Sequence, residues 1–224
     1  MLWVIMSGWY YIWVYLDISV PLITLLLAIL NFSLRRMKPV FIDFILLTFL
    51  CLQVILNWWA NYLQDIEVNN HWLYHINCVL VQILYSVYFY KILKSKKIKT
   101  LIKISFSCFI IFAILNAVFI QPYNTFNSYS YALGSLFIVT YCLLSFPCLI
   151  DKLPSNNLLS LKDFWAGAGI LIYFGSCFFI FISYHYLSIV SEKNVGVLWM
   201  VHNIFLSLGC ILFLITFTKE KWIP

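Results

Sequence analysis

Four histidines, an isolated aspartate and a few asparagines are the residues of this chain best suited to chemistry, and they lie in or beside long apolar runs. His71 and His75 stand at i and i+4, neighbouring positions on a helix and a workable spacing for two metal ligands. With His202 and Asp17 they could form a zinc set. The HxxxH pattern lacks the adjacent acid that supplies the base in HExxH, so the spacing encodes no hydrolytic chemistry. The other chemistry is polar recognition. Asn57, Asn77, Asn127 and Asn203 each offer donors and an acceptor, and imidazole titrates between about pH 5 and 8. Asp17, flanked by Val-Tyr-Leu and Ile-Ser-Val, needs a partner if it lies in lipid. For each histidine taken singly, a structural hydrogen bond is the alternative. For His185, between Tyr184 and Tyr186, it is snorkelling to headgroups.

A membrane must position these groups. The chain has 224 residues, of which 64% are hydrophobic and 10% charged, with a mean hydropathy of +0.95. Eight acids and fourteen bases cannot clothe a soluble domain of this size, so the outer surface must face lipid. The stretch Asn69 to Lys103 sets the frame. It opens with polar residues and two histidines, runs through about twenty apolar positions, enough for one bilayer span, and ends in Lys91, Lys94, Lys96, Lys97, Lys99 and Lys103. Lysines mark the cytoplasmic end, so the histidine end faces outward.

The apolar runs predict an all-α, multi-pass membrane protein with one domain, 1–224. Seven spans are expected at roughly 12–34, 40–63, 72–93, 101–120, 129–150, 164–187 and 197–218. With the N-terminus outside and the C-terminus cytoplasmic, thirteen of the fourteen bases fall on the cytoplasmic side, and only Lys193 is outside. That set includes Lys152, Lys162, Lys219 and Lys221. Trp58, Trp59, Trp72 and Trp199 then fall at outer helix ends as an aromatic belt, with Trp165 and Trp222 at inner ones. The N-terminal stretch has no basic residue before its apolar run and does not read as a signal peptide; its three tryptophans suit an interfacial lead-in. Pro21 and Pro147 lie inside spans, where neighbours must satisfy the carbonyls they free. Gly167, Gly169 and Gly175 are expected at a close helix packing, and Asp163 is expected to cap the sixth span. The seven cysteines, scattered through apolar runs without CxxC spacing, read as small buried hydrophobes.

By depth, the polar residues are one-sided. Asp17, Gln53, Asn57, His75, Asn77, Asn116, Ser130, Ser135, His185, His202 and Asn203 fall in the outer half; Asp43 and Gln82 are the main polar groups further in. This predicts a polar cavity opening outward between helix ends. A repeat is also visible. Glu67-x-Asn69 leads to Trp72-x-x-His75, and Glu192-x-Asn194 leads to Trp199-x-x-His202, as a parallel three-plus-one-plus-three duplication would give. The basic residues belong to loops on one side of the membrane and give no nucleic-acid footprint. There is no G-x-S-x-G, Walker loop or pair of intramembrane aspartates. The seventh span has no lysine for a retinal Schiff base.

Four blocks carry a resemblance. They are Asn69-Asn70 with Leu73-Tyr74-His75-Ile76; Phe126-Asn127-Ser128-Tyr129-Ser130; Phe164-Trp165 with Gly169-Ile170-Leu171-Ile172-Tyr173-Phe174; and Leu198-Trp199 with His202-Asn203-Ile204. Together they resemble a group of small, uncharacterised bacterial seven-helix membrane proteins. That likeness implies a bacterial cytoplasmic membrane and a shared site for His75, Asn127 and His202. Where that group often carries acids, this chain has Val81-Gln82 and Gly134. A looser likeness is to small sugar uniporters, also three-plus-one-plus-three, with asparagines on the third and seventh spans as Asn77 and Asn203 are here; their Pro-Gln motif is absent.

These features lead to three functional expectations. The first is a sensor or receptor-like module that binds a small molecule or lipid headgroup in the outer pocket and a cytoplasmic or membrane signalling partner through its basic side. The second is a small-solute transporter; the third is an outward-facing enzyme using the histidines. The sequence implies no particular cofactor.

Overall fold

Seven helices, each long and apolar enough to cross a bilayer, make up nearly all of the described chain. The computed structural model describes residues 2–36, 38–150, 158–190 and 192–219, with side chains from 15 onward except 192–194. Lys152, Lys221 and Trp222 therefore lie outside the described residues, as do the side chains of Lys193 and of the first three tryptophans. The helices are α1 (Leu2–Arg35), α2 (Phe41–Asp65), α3 (His71–Ile92), α4 (Lys96–Leu115), α5 (Ser128–Ile150), α6 (Lys162–Val190) and α7 (Glu192–Thr218). This is the architecture of a multi-pass membrane protein.

The seven expected spans are these seven helices, most of them longer than the apolar runs alone predict. The N-terminal lead-in is part of α1. The lysines from Lys96 onward lie in the first turns of α4 rather than in a loop, since lysine is a good helix former and its stem can lie along apolar surface. The chain leaves α1 and α2 through Arg36 and Glu67, both at positive φ (52° and 57°), the left-handed conformation that commonly ends a helix.

α1 packs on α2 and α7, α2 on α3, α3 on α5, α5 on α6, and α6 on α7. Six helices thus close a ring, and α4 stands outside it against α3 and α5. Exchanging α1 with α5, α2 with α6 and α3 with α7 leaves each of these neighbour relations unchanged, as a parallel three-plus-one-plus-three arrangement requires.

Two close approaches show how small residues fix this ring. A Cβ on Gly169 of α6 would lie 2.6 Å from the Phe213 ring and 3.2 Å from the Gly209 carbonyl on α7, so the two backbones meet there. Gly167 sits against Phe146 and Cys142 of α5. Gly175 faces open space and has no part in the packing, contrary to expectation. At mid-bundle the fully buried Phe49 touches the rings of Tyr85 (5.7 Å), Tyr173 (5.7 Å), Phe174 (6.0 Å) and Phe213 (6.1 Å), which fills the centre of the ring.

All seven cysteines are free, and four of them (Cys78, Cys142, Cys177, Cys210) are buried; Cys108 is exposed on α4. Pro21 has the local consequence its chemistry demands. It removes the N–H that would bond the Asp17 carbonyl one turn back, and Asn57 Nδ2 of α2 donates to that carbonyl instead, at 3.2 Å.

Candidate functional site

The helix ends that carry His71 and His202 enclose a cavity of about 440 Å³. α2 brings Asn61 and Gln64 to it, and Asn61 heads a polar stripe that runs inward. Gln53, Asn57 and Asn61 stand at i, i+4 and i+8, so they share one helix face. α3 contributes Asn70, His71 and Tyr74, α1 Asp17, α6 Tyr184, and α7 Trp199, Met200 and Asn203; Phe126 enters from the turn before α5. Phe126 packs on Tyr74 (5.4 Å), Tyr184 (4.7 Å) and Trp199 (5.5 Å), which makes one aromatic wall.

Beneath this cavity lies a chamber of about 20 Å³, room for roughly one water. Asp17, Tyr74, Phe126 and Trp199 line both spaces. The chamber is built from Gln53, Asn57, Asn77, Tyr131, Tyr173 and His202. Gln53 Nε2 approaches Asn77 Oδ1 at 3.5 Å. His202 is buried between Asn203 Oδ1, 3.2 Å from its Nδ1, and the Tyr173 hydroxyl, 3.3 Å from its Nε2. An amide oxygen only accepts, so Nδ1 carries the proton and, in the neutral ring, Nε2 accepts from Tyr173. Gln53 lies about 18 Å along α2 from its Asp65 end, at 1.5 Å per residue, so the polar path reaches the middle of a bilayer core about 30 Å thick. The ring cluster around Phe49 closes it there.

Three buried polar atoms of the upper cavity have no hydrogen-bond partner among the described residues: Asp17 Oδ1, Asn61 Nδ2 and His71 Nδ1. Such atoms are costly to bury unpaired. Among the described lining residues Asp17 is the one acid, and there is no lysine or arginine.

The residues expected to share one site are spread over three spaces, with His185 outside them all. Asp17, Asn203 and His71 line the upper cavity, and Asn57, Asn77 and His202 the chamber beneath it. His75 and Asn127 instead line a separate space of about 460 Å³ between α3, α4 and α5, walled by Ile76, Val79, Leu80, Ile110, Ala113 and Ile114. There His75 Nε2 lies 3.1 Å from the Thr125 carbonyl, to which it can only donate, and Asn127 Nδ2 donates to the Tyr74 carbonyl at 3.4 Å. The likeness that grouped His75, Asn127 and His202 is not matched by a common cavity. α3 lies between the ring interior and α4, and His71 and His75, one turn apart near its start, line spaces on its two sides. His185 is exposed against the Tyr129 ring (5.4 Å) and lines none of these spaces. Among the described residues no three of His, Cys, Asp and Glu come close enough to hold a metal ion, so His71, His75, His202 and Asp17 do not form the zinc set their types allowed.

Trp199, expected in an interfacial belt, is a wall of the cavity. Lys162, expected in a basic loop, is the larger correction. It opens α6 at 2% exposure, and its Nζ lies 2.9 and 2.8 Å from the two carboxylate oxygens of Asp43, itself 0% exposed at the start of α2. Asp43 Oδ2 also accepts the Val40 N–H at 2.8 Å. Asp163 lies inside the first turn of α6 rather than at its cap, and there it is buried and lines a small space with Tyr88. Two signals for these features were in the sequence: the four-residue spacing of Gln53, Asn57 and Asn61, and a lysine at the start of an apolar helix facing a lone acid at the start of another. Compared with family models, curated proteins and solved structures, the chain finds no match.

Proposed function

We propose that this protein is a receptor-like membrane module that binds a small polar ligand in the cavity at its histidine end. That end faces outward, with the N-terminus outside and the C-terminus cytoplasmic; the lopsided distribution of bases supports this orientation. The basic cytoplasmic side is the surface for a signalling partner. The observation that carries the reading is the contrast between the two ends. One has an open cavity of about 440 Å³ with unpartnered polar atoms; towards the other, among the described residues, the Phe49 ring cluster fills mid-bundle and the buried Asp43–Lys162 pair ties the helix ends. A cavity open at one end suits detection.

A second reading, a small-solute carrier, is favoured by the exchange symmetry of the six-helix ring, since carriers commonly move by rocking two such halves. One experiment separates them. Met200→Cys, in a background with Cys108→Ala, is reconstituted in proteoliposomes and exposed to a membrane-impermeant thiosulfonate. A panel of radiolabelled amines, amino acids, sugars and carboxylates is tested for protection of that cysteine and for uptake. The receptor reading expects labelling from the histidine side alone, and protection by at least one solute without its accumulation. Accumulation of the protecting solute favours the carrier. Labelling from the lysine side, or no protection by any solute, overturns the cavity as a ligand site.

A further inference from the structure

The chemistry of the cavity narrows its ligand. Asp17 Oδ1 is buried without a partner among the described residues, and as a carboxylate oxygen it can only accept. No lysine or arginine among the described lining residues supplies it with charge, and the nearby amide of Asn57 is turned to the Asp17 backbone carbonyl instead. The wall beside it is aromatic: Tyr74, Phe126, Tyr184 and Trp199, with Tyr74 and Trp199 centroids 6.2 Å apart. Ring faces attract cations and tolerate apolar bodies, and they offer nothing to an anion. A carboxyl acceptor in an aromatic wall, with no lysine or arginine among the described lining residues, fits a protonated amine carrying a small apolar group. A neutral alcohol would satisfy only the hydrogen bond, and a carboxylate would face Asp17 with like charge.

We infer that the cavity takes a small organic ammonium ion, its N–H groups on Asp17 and its apolar part against Trp199 and Phe126. The inference rests on the cavity being the ligand site proposed above. The test uses four probes of one shape: benzylamine, benzyltrimethylammonium, benzyl alcohol and benzoate. Each is titrated as a protectant of the Met200→Cys thiol in proteoliposomes. Benzylamine is expected to bind about tenfold or more tighter than benzyl alcohol, the scale of a charge-assisted hydrogen bond over a neutral one. The quaternary ion, which lacks N–H donors, falls between them, and benzoate gives no protection. Asp17→Asn, which keeps an acceptor but removes the charge, brings the amine to within about threefold of the alcohol. Asn61→Asp, which adds a second carboxyl at the mouth, raises the amine preference, and it keeps the inference testable if Asp17→Asn does not fold. Protection by benzoate or the alcohol equal to that by the amine overturns the ammonium assignment and leaves the cavity as a ligand site. An amine preference unchanged in both variants overturns the role of Asp17. Protection by none of the four, when a sugar or another solute of the wider panel does protect, overturns the ammonium class alone.

Discussion

The Asp43–Lys162 pair gives the sharpest energetic prediction. Both oxygens of Asp43 lie within 2.9 Å of one ammonium, and the two side chains are 0% and 2% exposed. An exposed ion pair is worth at most about 1 kcal/mol and is screened by salt. A buried one behaves differently, because removing either partner strands the other charge at a cost of about 3–5 kcal/mol. Lys162→Met should therefore destabilise the bundle by that amount. Asp43→Leu should cost about 1 kcal/mol more, since it also removes the acceptor of the Val40 N–H. Replacing both leaves no stranded charge, so the double variant should recover to within about 1–2 kcal/mol of the parent, a coupling of at least about 5 kcal/mol. The assay is equilibrium unfolding by sodium dodecyl sulfate in mixed micelles, followed by near-UV circular dichroism and repeated at roughly molar salt, where the screening length falls to about 3 Å. If Lys162→Met costs less than about 1 kcal/mol, or if its effect disappears in salt, the pair is solvated and the closed lysine end is wrong.

Two further predictions use the same measurement. Asn57→Leu should cost about 1 kcal/mol through the stranded Asp17 carbonyl, and much less in a Pro21→Ala background, where the helix again supplies its own N–H; equal costs in both backgrounds would refute the link. Gly169→Ala should destabilise by about 1–3 kcal/mol, because Phe213 and the Gly209 carbonyl occupy the space, whereas Gly175→Ala, with nothing within 4 Å, should stabilise by up to about 1 kcal/mol. Similar effects at the two glycines would contradict the α6–α7 approach.

The spans were legible because a bilayer imposes a length on apolar runs and lysine marks their ends. Which way a side chain faces within a span was not. In a soluble protein the polar face of a helix identifies the buried one, but here lipid and core are both apolar and periodicity carries little information. His71 and His75 show the consequence, since one turn apart they serve different cavities. The aromatic residues were ambiguous for the same reason. Trp199 has the position of a belt residue and the surroundings of a cavity wall, and an amphipathic ring suits either. From the sequence Lys162 belongs to a loop, because charge in a membrane protein usually marks the interface. Only the ring, which places the start of α6 where it can reach that of α2, shows that Asp43 is within its range. Pro21 was more informative, because the carbonyl it frees is known from its position alone.

The two ends of the bundle are carried by the same elements. α2 bears Asn57 and Gln53 at the polar chamber, Phe49 at mid-bundle and Asp43 in the ion pair; α6 bears Tyr173 beside His202, then Phe174 against Phe49, and Lys162 in the ion pair. A ligand that changes the separation of α2 and α6 at the chamber therefore acts on helices whose far ends are joined by a buried pair. Packed interiors resist graded deformation, so under the receptor reading such a change would be transmitted as a shift between two arrangements, one with the pair made and one without. Differential affinity sets the size of the response. A tenfold preference of the ligand for one arrangement moves the equilibrium by about 1.4 kcal/mol, and taking it from 1:99 to 99:1 needs about 5.5 kcal/mol. The second figure is close to the cost of stranding one buried charge, so an arrangement that broke the pair without rehydrating it would lie beyond the reach of a small ligand. Signalling through this pair therefore requires water to reach Lys162 as the lysine end opens. Its ε-amine should then become reactive towards an acylating reagent from that side only when the cavity is occupied. An ε-amine equally protected with and without bound solute would show that the pair is a fixed strut, and that any signal leaves the bundle by another helix.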